Sequence, residues 1–392
     1  MCQFRNLFAF NSVLCYLVLF SVTGYAQWLV DDEGCRTPDG GAGNCIKIKE
    51  CKPIVDFLQA APSPIPEEVR IVLNKYICGY DETFKVCCPS KPIRINLQLN
   101  DLSLQNPPPP PDVSNHKNFK LLPEECGYLD SPNKIRNGKD ANLNEFPWMA
   151  LLSYKTSSGP QFQCGGAIVN DRYILTAAHC ITNLMSPLLG VRVGEHKISS
   201  KVDCEVQDDG NEVCSPLPVQ DLAIEEVIVH PGYDKEVISN DIGLLRVSKM
   251  NSDAENVRPV CLPITEDTRN ARISYCVVTG WGFTDTGRNA DVLQKVDLPI
   301  MNLTSCSEVY KSEKKVKLSY KQICAGGKNK KDSCPGDSGG PMQVAAAVNG
   351  EPRYVQQGIV SFGHRFCGTE GYPGVYTRVA YYMDWILDNM KP

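Results

Sequence analysis

Apolar positions along this chain change their rhythm several times. Residues 7–20 (LFAFNSVLCYLVLF) form one apolar run behind Arg5, followed by small residues at Gly24 and Ala26. This layout predicts a cleaved targeting segment, residues 1–26, with a mature chain that starts at Gln27. The run is too short and too broken for a membrane anchor. Between Cys51 and Cys78, Val69, Val72, Leu73 and Tyr76 recur at helical spacing, and Pro66, Glu67 and Glu68 suit a first turn. One short amphipathic helix is expected there. From Cys126 onward the rhythm shortens to PWMALLSY, YILTAAHC, IEEVIVH, DIGLLRV, YCVVTGWG, VQQGIVSF and GVYTRV, divided by Gly-, Asn- and Asp-rich turns. That is the pattern of an all-β barrel or sandwich. The last apolar stretch, VAYYMDWILDNM, returns to helical spacing and predicts a closing helix. No internal repeat is visible.

Composition narrows the setting. The 392 residues carry a net charge of −5, which gives no reason to expect nucleic acid or an anionic membrane as partner. Nineteen cysteines are present; Cys2 and Cys15 leave with the targeting segment. The rest fit an oxidising compartment, so the protein is expected to be secreted, with no membrane span. Cysteines 35, 45, 51, 78, 87 and 88 cluster where large apolar residues are few, which describes a small module held by three bridges. Spacing alone leaves all their pairings open. Pro107–Pro111 is a run of prolines that favours an extended polyproline II spacer over an SH3-type ligand.

Three short segments carry the chemistry: TAAHC around His179, NDIGLL at Asp241 and GDSGGP around Ser338. Acyl transfer to water needs a hydroxyl nucleophile, a base for its proton and a carboxylate that holds the base in one tautomer. Together with GWG and PGVYTRV, in this order, these segments resemble the chymotrypsin-like serine proteases over residues 126–392. The resemblance implies two six-stranded β-barrels with the site in the cleft between them. It makes His179, Asp241 and Ser338 the catalytic triad and the N–H groups of Gly336 and Ser338 the oxyanion hole. It places Asp332 at the base of a substrate pocket walled by Ser361, Phe362, Gly363 and Gly374, which implies trypsin-like cleavage after Arg or Lys. Pro335 stands where relatives often carry Gln, and Phe362 where they carry Trp, so the finer subsites are left open.

The segment SPNK-IRNG resembles the family's activation junction. Cleavage after Lys134 would free the ammonium of Ile135 to pair with Asp337. The resemblance pairs Cys126 with Cys261, Cys164 with Cys180, Cys306 with Cys324, and Cys334 with Cys367. Cys204 and Cys214 are expected to close their own acidic loop. Val344 stands in the place of the usual partner of Cys276, so Cys276 is expected to be a buried, inert free thiol.

The N-terminal cysteines, ending in the adjacent Cys87-Cys88, resemble a clip domain, which implies bridges Cys35–Cys87, Cys45–Cys78 and Cys51–Cys88. The chain is then divided into a signal peptide (1–26), a clip domain (27–90), a linker with the activation segment (91–134) and a trypsin-like domain (135–392). Clip plus spacer plus protease is the architecture of arthropod cascade zymogens. The extra Cys204–Cys214 loop resembles the subgroup that includes Easter, Grass and the prophenoloxidase-activating enzymes. The resemblance implies a secreted zymogen in a haemolymph-like fluid, acting in innate immunity through Toll or prophenoloxidase activation, or in development. Implied partners are a protein precursor as substrate, an upstream trypsin-like activator and a serpin. The rival reading is a non-catalytic clip cofactor that scaffolds another protease. No cofactor is required; Glu195 matches a position that contributes to a structural calcium loop in some members. Asn302-Leu-Thr is the only glycosylation sequon.

Overall fold

The computed structural model describes residues 34–38, 40–60, 73, 76–81, 83–91, 107–129, 139–206, 210–252, 254–284, 287–313 and 316–392. The targeting segment, the activation segment with Lys134 and Ile135, and most of the helix expected before Cys78 lie outside these residues. The chain divides into two compact units, residues 1–96 and 97–392.

In the first unit, strands β1 (Cys35–Arg36), β2 (Ala42–Lys47), β3 (Ile77–Asp81) and β4 (Thr83–Pro89) form one antiparallel sheet in the order β1-β2-β4-β3. Helix α1 (Lys52–Ala60) begins directly after Cys51, with Pro53 in its first turn, where a missing N–H costs nothing. It buries Ile54 beside Cys51, Tyr76 and Val86. So small a core needs staples. Bridges Cys35–Cys87, Cys45–Cys78 and Cys51–Cys88 supply them.

The second unit is built on two curled sheets. The first runs β12 (Gln220–Leu222), β9 (Leu188–Val193), β6 (Met149–Thr156), β7 (Gly159–Asn170), β8 (Tyr173–Thr176), β14 (Gly243–Val247), β13 (Ile224–Val229). Its two ends, β12 and β13, are separated only by Ala223, so they are halves of one bent strand and the sheet closes as a six-stranded barrel. The second runs β15 (Tyr275–Gly280), β18 (Pro341–Val348), β19 (Glu351–Phe362), β20 (Gly374–Arg378), β17 (Gln322–Ala325), β16 (Gln294–Met301). Pairing of β15 with β16 closes it, and β5 (Lys139–Asp140) adds a short edge strand. A separate hairpin of β10 (Cys204–Val206) and β11 (Glu212–Cys214) is closed by the Cys204–Cys214 bridge. Helices α2 (Glu266–Arg269) and α3 (Leu303–Val309) sit in connections, and α4 (Met383–Asn389) closes the chain. Among the described residues no helix is long and apolar enough to cross a membrane.

A buried polar contact joins the barrels: Trp148 Nε1 donates to Gln343 Oε1 at 3.1 Å. Bridges Cys126–Cys261, Cys164–Cys180, Cys306–Cys324 and Cys334–Cys367 are formed. Cys276 is free and buried, and burial pushes its thiol far up, away from the reactive thiolate.

The proline run is not a free rod, because a polyproline backbone keeps its carbonyls as unpaired acceptors. Tyr381 Oη donates to Pro108 O at 2.9 Å, and Arg269 Nη1 donates to Pro111 O at 3.0 Å while pairing with Asp112. Val113 enters the main core. Further on, Asn118 Nδ2 donates to the carbonyls of Leu387 and Met390, closing the open end of α4.

Candidate active site

His179 lies on a single 3-10 turn, Ala178–Cys180, that follows β8. The Cys164–Cys180 bridge ties that turn to β7. Asp241 sits just ahead of β14, in a bend where Ile238 and Asn240 take φ of 50° and 52°. The bend aims a carboxylate that is 1% exposed at the back of the imidazole. Oδ1 accepts the backbone N–H of His179 at 2.9 Å, and Oδ2 lies 2.8 Å from His179 Nδ1. Ser361 Oγ donates to the same Oδ2 at 2.6 Å, and Thr377 Oγ1 donates to the carbonyl of Asp241 at 2.7 Å. Asp241 is therefore fully satisfied, as a buried charge must be. With Nδ1–H given to Asp241, Nε2 is left as the basic nitrogen. Ser361, expected on the pocket wall, turns its hydroxyl toward Asp241. Thr377, inside the PGVYTRV motif, is a supporting residue whose role that motif does not indicate.

Ser338 stands in the loop between β17 and β18, and its carbonyl accepts Gly165 N–H at 2.8 Å. Among the described residues no hydrogen bond joins Ser338 to His179, a contact that commonly tightens only with substrate bound. Gly336 takes φ of +101°, and a Cβ there would lie 2.9 Å from Gly282 Cα, so only glycine fits this bend. Neither the Gly336 nor the Ser338 N–H donates to another described group, so both are free to receive an oxyanion.

The rest of the same loop holds two further carboxylates. Asp332 accepts N–H groups from Ser333 at 2.9 Å and Gly368 at 3.2 Å. Burial pushes it up to about 6. Gly374 faces it: a Cβ would come within 3.1 Å of Asp332 Oδ1 and of Tyr376 Oη, so a side chain here would fill the pocket. Gly363 lies opposite, near Gly374. Phe362 packs edge-on against Tyr310, with ring centroids 5.7 Å apart. Asp337 accepts N–H groups from Gly282 and Cys334, each at 2.8 Å. Desolvation outweighs these donors and pushes it up to about 6 as well. Among the described residues no cation pairs with it. Asp332 and Asp337 both line one cavity of about 700 Å³, whose rim includes the exposed Phe283 and Phe366.

Two other expected positions are distant from this cleft in role. Asn302 is exposed; its Oδ1 caps α3 by accepting from Thr304 and Ser305, while Nδ2 is free among the described groups. Glu195 is buried, accepts the N–H of His196 at 3.0 Å and pairs with Arg192 at 3.3 Å. Burial, together with the neighbouring Asp203, pushes its carboxyl up. Asp203 accepts the same N–H at 2.9 Å through Oδ2, and its Oδ1 is buried with no hydrogen-bond partner. An orphaned carboxylate oxygen beside a second carboxylate fits a hard cation such as calcium. Asp203 was not recognisable as part of that pair from the sequence.

A family model described as Trypsin matches residues 135–386, and one described as the regulatory CLIP domain of proteinases matches residues 35–88. Over 366 residues, 91% of either chain, the sequence is 38% identical to serine protease grass of Drosophila melanogaster. It is also 38% identical, over 92% of this chain and 94% of the other, to phenoloxidase-activating factor 1 of Holotrichia diomphalia. Among solved structures, the crystal structure of the Drosophila Grass clip serine protease of the Toll pathway is similar. Its TM-score is 0.61 at 37% identity, covering 92% of this chain and 97% of that one.

Proposed function

The chain belongs to the trypsin family of serine endopeptidases and carries a regulatory clip domain; from that premise we propose a secreted zymogen that, once cleaved after Lys134, cuts a protein precursor after Arg or Lys in an extracellular cascade. The observation that carries this reading is the Asp241–His179 pair at 2.8 Å, in a chain whose Ser338 loop also keeps two free N–H donors and the half-buried Asp332.

In this reading Ser338 Oγ attacks the scissile carbonyl carbon and gives its proton to His179 Nε2. Asp241 stabilises the imidazolium without taking a proton. The N–H groups of Gly336 and Ser338 receive the oxyanion, each worth roughly 3–4 kcal/mol of barrier. As the C–N bond breaks, His179 returns the proton to the leaving amine. Water, deprotonated by the same imidazole, then releases the acid and restores Ser338. Asp332 binds the guanidinium or ammonium of the residue ahead of the scissile bond. Glu195 and Asp203 would hold a structural calcium that takes no part in the chemistry, since enzymes of this family generally need no cofactor.

Activation supplies the missing charge. Asp337 is a desolvated carboxylate held near 6, and the ammonium of Ile135, released by cutting after Lys134, would pair with it. The activator must itself accept Lys, which places this enzyme downstream of another trypsin-like protease. Relatives named for the Toll pathway and for phenoloxidase activation support a role in such a cascade; a serpin is the inhibitor class we propose for it. Lys134→Gln should give a folded single chain that neither hydrolyses a basic ester nor takes a fluorophosphonate label. The cleaved wild type should do both. Full activity of the uncut variant overturns the activation mechanism, and an inert, correctly cut wild type overturns the enzyme reading itself.

A further inference from the structure

A second groove, of about 430 Å³, shares no residue with the cavity of Asp332 and Asp337. One wall is the segment that precedes the activation site, from Lys120 to Tyr128; the other comes from the first barrel and its loops, including Asn170, Ser252 and Arg258. The segment is fixed there. The Cys126–Cys261 bridge holds it covalently, and Asn170 Nδ2 donates to Leu121 O at 3.1 Å. Gly127 N–H donates to Pro259 O at 2.9 Å, and Gly127 O accepts the N–H of Tyr354 at 2.7 Å. The groove is thus a composite surface that survives cleavage after Lys134.

Its charges are unevenly committed. Both acids are already paired: Asp171 with Lys249 at 3.3 Å, and Glu125 with the Tyr128 hydroxyl and with Arg353 at 3.5 Å. Arg353 also pairs with Glu351 and lies over one ring, that of Tyr128, at 4.1 Å. Arg258 lies over the same ring at 4.6 Å but has no carboxylate among the described residues. Lys120 has none either, and among the described residues the hydroxyl of Ser252 has no partner. Among those residues the uncommitted groups of the groove are therefore two cations and a hydroxyl donor, on a chain whose net charge is −5. Leu121, Leu122 and Pro259 add an apolar part to this otherwise more polar lining.

We propose that this groove is a docking site for an extended acidic segment of a partner protein, in which Asp or Glu side chains alternate with aliphatic ones. A carboxylate would lie between Arg258 and Lys120, where a guanidinium already held over the Tyr128 ring offers a fork of donors. The neighbouring aliphatic side chain would cover Leu121 and Leu122. A sulfated polysaccharide needs a row of exposed cations, where this groove offers two, and gains nothing from Leu121 and Leu122, so an acidic peptide is the better fit.

The test uses the full chain and three fluorescein-labelled decapeptides read by anisotropy: alternating Asp-Leu, Ser-Leu and Asp-Ser. The Asp-Leu peptide should bind saturably, and each of the others at least tenfold more weakly. Lys120→Ala with Arg258→Ala should weaken the Asp-Leu peptide by at least tenfold, Arg258→Lys by less, at unchanged Tm. Hydrolysis of a small basic ester by the activated variants should be unaltered, which separates this site from the catalytic reading. Equal binding of Asp-Leu and Ser-Leu, an unaffected double variant, or retention of heparin alone would each overturn the proposal.

Discussion

The two sides of the catalytic cleft are at different stages of completion. On the first-barrel side, Asp241 is 1% exposed and its carboxylate accepts three hydrogen bonds, from His179 twice and from Ser361. On the second-barrel side, Asp332 and Asp337 also accept backbone N–H groups, yet both are held near 6 and both open onto a large cavity. The difference is a matter of partners. Asp241 has in its own barrel the imidazole it must orient. Asp332 and Asp337 have only dipoles, and in the proposed reading each would receive a cation from outside: a substrate side chain for one, a new chain terminus for the other. The base is pre-organised, while specificity and the oxyanion loop would then depend on charges that arrive later. On that reading the protease could be stored without being active.

Breaking the finished side should cost most. Asp241→Asn leaves the fold intact but removes the acceptor that fixes the imidazole tautomer, so kcat on a basic ester should fall by about 10⁴ with KM little changed. Steady-state kinetics on the cleaved form measures this. A loss below tenfold would mean that His179 is held by something other than Asp241.

Next comes the waiting side. Asp332→Ser removes the partner of the substrate cation, and losing one member of a desolvated pair costs about 3–5 kcal/mol, or roughly 10²- to 10⁴-fold. That loss should appear in kcat/KM for Arg and Lys substrates, while turnover after an apolar residue is unchanged or improved. Unchanged cleavage after Arg would refute the assignment of the pocket.

The finished side was also the more legible one. His179, Asp241 and Ser338 each sit in a motif whose neighbours are constrained by the same bend, so the words TAAHC, DIGLL and GDSGGP point to them. Ser361 and Thr377 hold Asp241 through single hydroxyls on strands β19 and β20; Ser361 reads in the sequence only as a pocket residue and Thr377 only as part of PGVYTRV, so neither signal reports the bond to Asp241. Asp203 comes beside Glu195 only because both accept the N–H of His196 within a loop, where spacing does not report proximity. The two barrels were visible as short apolar stretches, but their closure depends on Ala223 splitting one strand, which a reading of periodicity does not reveal. Proline-rich sequence announces an extended backbone and says nothing of what its carbonyls meet, so the contacts of Tyr381 and Arg269 could not be anticipated. Helix α1 was overlooked because Ile54 and Leu58 make only one helical repeat beside Cys51.

The smallest effect offers the sharpest comparison of stored and activated forms, because it reads Asp337 without any substrate. Its carboxyl ionises near 3.8 in an unfolded chain and near 6 in the uncut fold, through desolvation. Between those values the folded chain holds a proton that the unfolded chain has lost. Stability of the single-chain Lys134→Gln protein should therefore fall as pH rises from about 4 to about 6, and this contribution should level off above that. Asp332 titrates over the same window and in the same direction, so the informative quantity is a difference. Adding Asp337→Asn to the single chain removes one of the two titrations and should flatten the fall, by a few degrees of Tm across the window. In the cleaved enzyme the terminal ammonium would favour the ionised carboxylate and lower its pKa, so there the same substitution should destabilise at neutral pH and abolish ester hydrolysis. Identical pH slopes with and without Asp337, in the uncut chain, would mean that this carboxylate already has its partner before activation.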